Sequence, residues 1–186
     1  MKHVRLALAA LAISACTPPP EQSETASVPP IDVVGCSAQT SRDWSAVGSQ
    51  YYVIEAEARG PTCAEAVATL RIKSVEGAIL YERDHRTSET PLAFYPNSDQ
   101  TGLRAELDAW IQNTAEPASA DTLPAWPPGA QHPPGFQPSV TRTRYEGARG
   151  AQGPLFCYPD GAESNACIAM AGDVATLLGS LTPERP

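Results

Sequence analysis

Positive charge is scarce in this chain. Two lysines occur in 186 residues, Lys2 and Lys73, and 13 Lys+Arg stand against 21 Asp+Glu. A net charge of −8 provides no basic surface to neutralise phosphates, which excludes nucleic acid as a partner. It also leaves no polybasic segment for anionic headgroups. Long apolar runs are missing as well. The longest, Leu6 to Ile13, falls far short of the roughly 20 residues a membrane-spanning helix needs. Histidine is limited to His3, His85 and His132. Ser88 follows His85 closely but lies in no Gly-x-Ser-x-Gly setting, so the hydrolase elbow is absent. No glycine-rich phosphate loop precedes a helix; Gly147, Gly150 and Gly153 around Arg149 read as a flexible loop. No two cysteines have the close spacing of a zinc site, which argues against a metal. No cofactor motif, small-molecule substrate site or internal repeat is read, and the chain is too short for a two-lobed solute-binding protein.

What is present begins at the N-terminus. Met1 to Arg5 carries Lys2 and Arg5, Leu6 to Ile13 is apolar, and small residues then lead to a cysteine. This order of basic, apolar and small segments is that of an export signal. The stretch Ile13-Ser14-Ala15-Cys16 resembles the lipobox of bacterial lipoproteins: an aliphatic residue, two small ones, then cysteine. The resemblance implies a diacylglyceryl group on Cys16, cleavage after Ala15, and acylation of the new amino terminus. It covers the signal, residues 1–15, and not the domain beyond. Each buried methylene contributes about 0.8 kcal/mol and stable anchoring takes more than one chain, a condition a multiply acylated Cys16 meets. Thr17, standing where an inner-membrane retention aspartate would be, points within that family to the outer membrane, facing the periplasm. Residues 16–30 form a tether of proline, glutamate, glutamine, serine and threonine that cannot build a core. In polyproline form, at about 3.1 Å per residue, it would hold the domain up to roughly 40 Å from its anchor.

Removing Lys2 and Arg5 with the signal leaves 11 basic against 21 acidic residues, a mature charge of about −10 with histidine neutral. The cysteine count fits the same compartment. Five cysteines in an exported chain leave one over; with Cys16 lipidated, Cys36, Cys63, Cys157 and Cys167 form an even set suited to two disulfides. Three connectivities are open, and Cys36–Cys63 with Cys157–Cys167 is favoured because each closes a short loop between neighbouring elements.

Residues 31–186 make one domain by length, large enough to bury about two-thirds of its unfolded surface. Gln50 to Arg59 alternates, with Tyr52, Ile54, Ala56 and Ala58 on one face and Glu55 and Glu57 on the other. Ala64 to Ser74 repeats the pattern, with Ala66, Ala68, Leu70 and Ile72 inward and Arg71 and Lys73 outward. Val75-Glu76-Gly77 predicts a hairpin loop with glycine at a positive φ, returning as a strand over Ala78 to His85. Acids on one strand and bases on the next suit cross-strand pairing. Ser98 or Asp99 caps a helix reaching about Thr114, with Leu103, Leu107, Trp110 and Ile111 as its apolar stripe and Pro117 as its stop.

The segment 117–138 holds seven prolines and no period, yet carries Trp126 and Phe136. Two readings stand: the aromatics pin the loop to the core, or they offer a stiff interaction surface. Beyond it, Thr141 to Tyr145 predicts a short strand, and Pro154 to Tyr158 with Ala166 to Ala171 a hairpin. Asp173 predicts the cap of a final helix bearing Val174, Leu177, Leu178 and Leu181. The expected fold is α+β: an antiparallel meander with one or two amphipathic helices packed on one face.

The remaining chemistry is thin. Glu82 and Asp84 share a face as a carboxylate pair, while alternation places His85 with Arg83 and Tyr81. His132, beside Pro133, reads as exposed. Three functions are therefore carried forward. The first is a non-enzymatic, lipid-anchored envelope protein acting as a structural or protein-interaction module. The second is an inhibitor of a cell-wall-cleaving enzyme such as lysozyme, reaching a basic partner by electrostatic steering. The third is a periplasmic hydrolase using Glu82, Asp84 or His85, which would need those groups to converge in a cleft.

Overall fold

Alternating residues place the first sheet. In the computed structural model, which describes residues 35–46, 48, 50–112 and 118–182, four strands form an antiparallel meander. They are β1 (Cys36–Ser45), β2 (Tyr51–Gly60), β3 (Val67–Ser74) and β4 (Ile79–Arg86). Tyr52, Ile54, Ala56 and Ala58 on β2 and Ala68, Leu70 and Ile72 on β3 are buried on one face, as their period of two requires. The β3–β4 turn uses Gly77 at φ 91°, the positive φ the sequence predicts there. Strand β1 is not signalled by any apolar period; Ser37, Gln39 and Ser41 occupy its outward positions opposite Arg59, Glu57 and Glu55.

A second antiparallel sheet carries the rest of the chain. Its strands are β5 (Ala118–Ser119), β6 (Phe136–Pro138), β7 (Pro154–Pro159), β8 (Asn165–Ala171) and β9 (Val174–Leu181), in the order β5-β7-β8-β9-β6. Strands β7 and β8 are buried on both faces. Phe156, Tyr158, Ala166, Ile168 and Met170 join the core of the first sheet, while Leu155, Cys157, Cys167 and Ala169 line a second core. Helix α1 (Gln100–Trp110) adds Leu103, Leu107 and Trp110, with Ile111 just beyond it, to the first core. Asp99 caps it by accepting from the Gly102 amide at 2.8 Å. Helix α2 (Arg142–Ala151) adds Tyr145 to the second. The fold is thus α+β, with two sheets where one meander is expected from the sequence.

Two C-terminal expectations are corrected. Thr141 to Tyr145 is not a strand: Thr141 caps α2, accepting from the Arg144 amide at 3.4 Å, and Arg142 pairs with Glu146 one turn on at 2.7 Å. The glycines at 147 and 150, expected in a loop, lie inside this helix. Tertiary anchoring overrides their poor propensity: the Tyr145 hydroxyl donates to Pro124 O at 2.8 Å, and Arg149 reaches Leu123 O at 2.9 Å. Nor does Asp173 cap a helix. Gly172, at φ 58°, and Asp173 make the tight turn between β8 and β9. The helical spacing of Val174, Leu177, Leu178 and Leu181 comes from a bulge. Cys167 pairs with Gly179 but Ile168 with Leu177, so one extra residue breaks the period of two. Leu177 then packs toward the first core and Leu178 toward the second.

Both disulfides are those favoured from the sequence. Cys157–Cys167 links directly opposed residues of β7 and β8, and Cys36–Cys63 ties the start of β1 to the connection after β2. Helix α1 closes at Trp110 with Ile111 as its C-cap, short of the end at about Thr114 expected from the sequence. The signal, the lipobox with Cys16, the tether over 16–30, residues 31–34, residues 113–117 and residues 183–186 lie outside the described residues.

Candidate functional site

The residues with acid–base chemistry do not converge. Glu82 and Asp84 lie on the outer face of β4, where Glu82 accepts from Arg71 Nε at 2.5 Å and Asp84 from Thr69 Oγ1 at 2.6 Å. His85 points the other way, into the seam between the sheets. Its Nε2 is 3.1 Å from the Tyr158 hydroxyl, which is itself 3.2 Å from the Tyr81 hydroxyl. The Trp110 ring meets both His85 and Tyr158 edge to face, and its Nε1 donates to Pro159 O at 2.7 Å. Burial, reinforced by Arg83, pushes the His85 imidazole down to about 4, against weaker opposing pulls from Asp160 and Asp84. It is therefore neutral at pH 7. Burial, with Tyr81 next, pushes the Tyr158 phenol well above its ordinary value, so no phenolate nucleophile forms. A neutral imidazole and an un-ionised phenol hold each other in place, stitching β4 to β7.

An open groove of about 410 Å³ passes beside this seam, bordered by Arg83, Asp84, His85, Arg86, Glu89 and Asp160. Its charges are mixed. Asp160 accepts from Ser164 Oγ at 2.7 Å and Ser180 Oγ at 2.8 Å, which commits its carboxylate to bracing the β7–β8 turn against β9. A second groove, of about 750 Å³, runs along Ser37–Ser41 of the β1 edge and is flanked by Glu57, Arg59 and Arg104.

The outer face of the first sheet is a charge lattice. Arg71 Nη1 lies 3.1 Å from Glu55 and 3.3 Å from Glu57, and Lys73 Nζ lies 2.6 Å from Glu55. Burial would raise the Glu55 carboxyl, but hydrogen bonds from Lys73 and Arg71 outweigh it and hold the group below its ordinary range. The cross-strand pairing expected of these residues is present, extended by Glu82 on β4.

The proline-rich segment is held by its aromatics. Phe136 is 2% exposed and packs on Tyr145, and the half-buried Trp126 meets Tyr145 edge to face while donating to Ala130 O at 2.9 Å. Arg142 covers the indole at 5.8 Å. This is the pinning arrangement, and Phe136 offers no surface to a partner. His132 is exposed, with Nδ1 3.2 Å from Pro133 O.

Sequence reasoning missed the exposed apolar residues at one end of the sheets. Tyr51, Val75, Ile79 and Val174 are each more than half exposed. The signal was present: Tyr51 and Ile79 occupy outward positions in strands whose other outward residues are mostly charged. Among the described residues, no group of three or more His, Cys, Asp or Glu is placed to hold a metal, and no helix is long and apolar enough to cross a membrane. Compared with protein-family models, with curated proteins and with solved structures, the chain matches none.

Proposed function

We propose that this chain is a lipid-anchored protein of the cell envelope, held at the outer membrane by Cys16 and working as a non-enzymatic protein-interaction module. The observation that carries the reading is the distribution of cysteine. The two disulfides use four of the five cysteines, and the fifth is the one that ends Ile13-Ser14-Ala15-Cys16. Disulfides of this kind persist in an oxidising compartment, which the export signal would supply. The separation of Glu82 and Asp84 from His85 favours a binding role over the hydrolase reading.

The test is intact mass and membrane fractionation beside a Cys16→Ser variant. A lipid-sized increment on a chain beginning at Cys16, lost in the variant, is the expected result. A soluble chain without lipid would overturn it. A second reading, inhibition of a cell-wall-cleaving enzyme, gains from the acidic residues Glu76 and Asp173, each exposed in a hairpin turn. Addition of the purified chain to a lysozyme-type assay should then lower the rate of wall clearance.

A further inference from the structure

Among the described residues the two sheets have four edges, and three of them are blunted. In the second sheet the edges are β5, two residues long, and β6, three residues ending in Pro138. In the first, the pairing of β4 carries a bulge at Ile72/Lys73, and Glu82, Asp84 and Arg86 stand along the strand. Short strands, prolines, bulges and charges are what keep an edge from pairing. β1 has none of them over Cys36–Ser41. It runs ten residues in unbroken register with β2, and Ser37, Ala38, Gln39, Thr40 and Ser41 are all uncharged. Its backbone is also open. Opposed residues of an antiparallel pair alternate between exchanging hydrogen bonds and not. The Ala46 amide donates to Gln50 O at 2.8 Å, so the even-numbered residues of β1 bond to β2 and the odd-numbered ones turn their N–H and C=O away. Ser37, Gln39 and Ser41 thus present amides and carbonyls, unpaired among the described residues, to the groove of about 750 Å³ that runs along them.

What satisfies a row of open backbone groups is another strand. A foreign strand is selected by pockets for its side chains, and this groove has only hydroxyls, an amide, one alanine and flanking charges. It is, however, complementary to itself. Antiparallel pairing about Gln39 sets Ser37 opposite Ser41 of a second copy, Gln39 opposite Gln39, and Ser41 opposite Ser37, with no charge facing a charge. Each of those pairs exchanges its N–H and C=O in both directions. A register centred on Asp43 would set acid against acid. The flanking charges agree with a two-fold contact. Glu57 is already bonded to Arg59 and Arg71. Arg104 lies one helical turn from Asp108, which accepts from Thr40 Oγ1 at 3.3 Å, so a base and an acid both stand beside the axis. Such a pair is the complement of its own two-fold copy.

We propose that β1 pairs with β1 of a second copy of this chain, antiparallel about Gln39, joining two four-stranded sheets into one. The inference rests on the reading of the chain as an interaction module and names that module's partner and surface.

The experiment is sedimentation of the full chain, purified in detergent, over a range of concentrations. A dimer is expected. Gln39→Pro removes an N–H that makes no bond to β2, so it should leave the fold intact and weaken the dimer at least about tenfold. Ser37→Lys/Ser41→Lys sets like charges opposite each other across the axis and should weaken it as much. Ser37→Glu/Ser41→Lys sets unlike charges there and should stay within about twofold of the unsubstituted chain. An unchanged circular dichroism spectrum verifies that each variant folds, and if Gln39→Pro does not, the two charge variants decide. A chain that stays monomeric at every concentration overturns the proposal, including one that is instead occupied by a foreign strand. So does a dimer that survives Gln39→Pro, as two lipidated chains sharing a micelle would, or one that both charge variants weaken alike. The anchor is tested separately. A lipid-free chain that dimerises through β1 would sink the anchor alone, and a lipidated chain that stays monomeric would sink the pairing alone.

Discussion

The two sheets obey the same alternation of side chains but bury different numbers of faces. In the first sheet, β2 and β3 put alanine, leucine and isoleucine inside and an ion-pair lattice outside. In the second, β7 and β8 serve a core on each face, so Pro154–Tyr158 and Ala166–Met170 are buried throughout. One wet face costs a strand little when a surface residue changes. Two dry faces leave no tolerant position. Stability should therefore be concentrated in the second sheet and pH or salt sensitivity in the surfaces and seam around the first.

The largest effect should come from the second core. Tyr145→Ala removes a fully buried ring that packs on Phe136 and Trp126, and should destabilise the protein by about 3–5 kcal/mol in urea unfolding. A loss under about 1 kcal/mol would break the contrast between the sheets. The seam between them should respond to acid. The His85 imidazole sits at about 4 when folded and at its ordinary 6.5 when unfolded, so the unfolded chain binds the proton first. Stability should hold above pH 6.5, fall by roughly 2–4 kcal/mol between pH 6.5 and 4, and then level off as far as this group is concerned. His85→Gln should flatten that window in a pH series of chemical denaturation.

On the wet face the expected losses are smaller. Arg71→Ala removes the hub of the lattice and should cost about 1 kcal/mol, shrinking at high salt. Gly147→Ala and Gly150→Ala should move the other way. Both positions are helical, neither has a positive φ, and an added Cβ meets nothing within 4 Å. Each should raise stability by about 0.5–1 kcal/mol, read as a higher urea midpoint. That result would locate the weakness of α2 in its backbone and not in its packing.

The same contrast explains what could be read in advance. β2, β3 and β4 announce themselves because one face is wet and polar residues punctuate the apolar ones. Helix α1 is legible for the same reason, at its own period. β1 hides because its inward residues include Thr40 and Arg42, and small polar side chains fill its other face. β9 misleads because a bulge places two leucines on neighbouring positions with different cores to serve, imitating a helical stripe. α2 misleads because its glycines oppose a helix that the Tyr145 and Arg149 contacts nevertheless hold. Both disulfides were readable from loop length, whereas the His85–Tyr158 contact, 73 residues apart, depends on how the sheets pack. The exposed Tyr51, Val75, Ile79 and Val174 lie at the ends of different strands and leave only single positions in the sequence.

The Cys36–Cys63 bond has a mechanical consequence. β1 is an edge strand, and its first residue, Cys36, pairs with Gly60, the last of β2. A pull on the chain from its N-terminal side arrives at that end, where an unclamped edge strand would unzip one hydrogen-bonded pair after another under low force. The disulfide receives the load before the first pair does and passes it to the connection between β2 and β3. Tension is thereby shared with an inner strand, and β1 stays seated while its carrier is tugged.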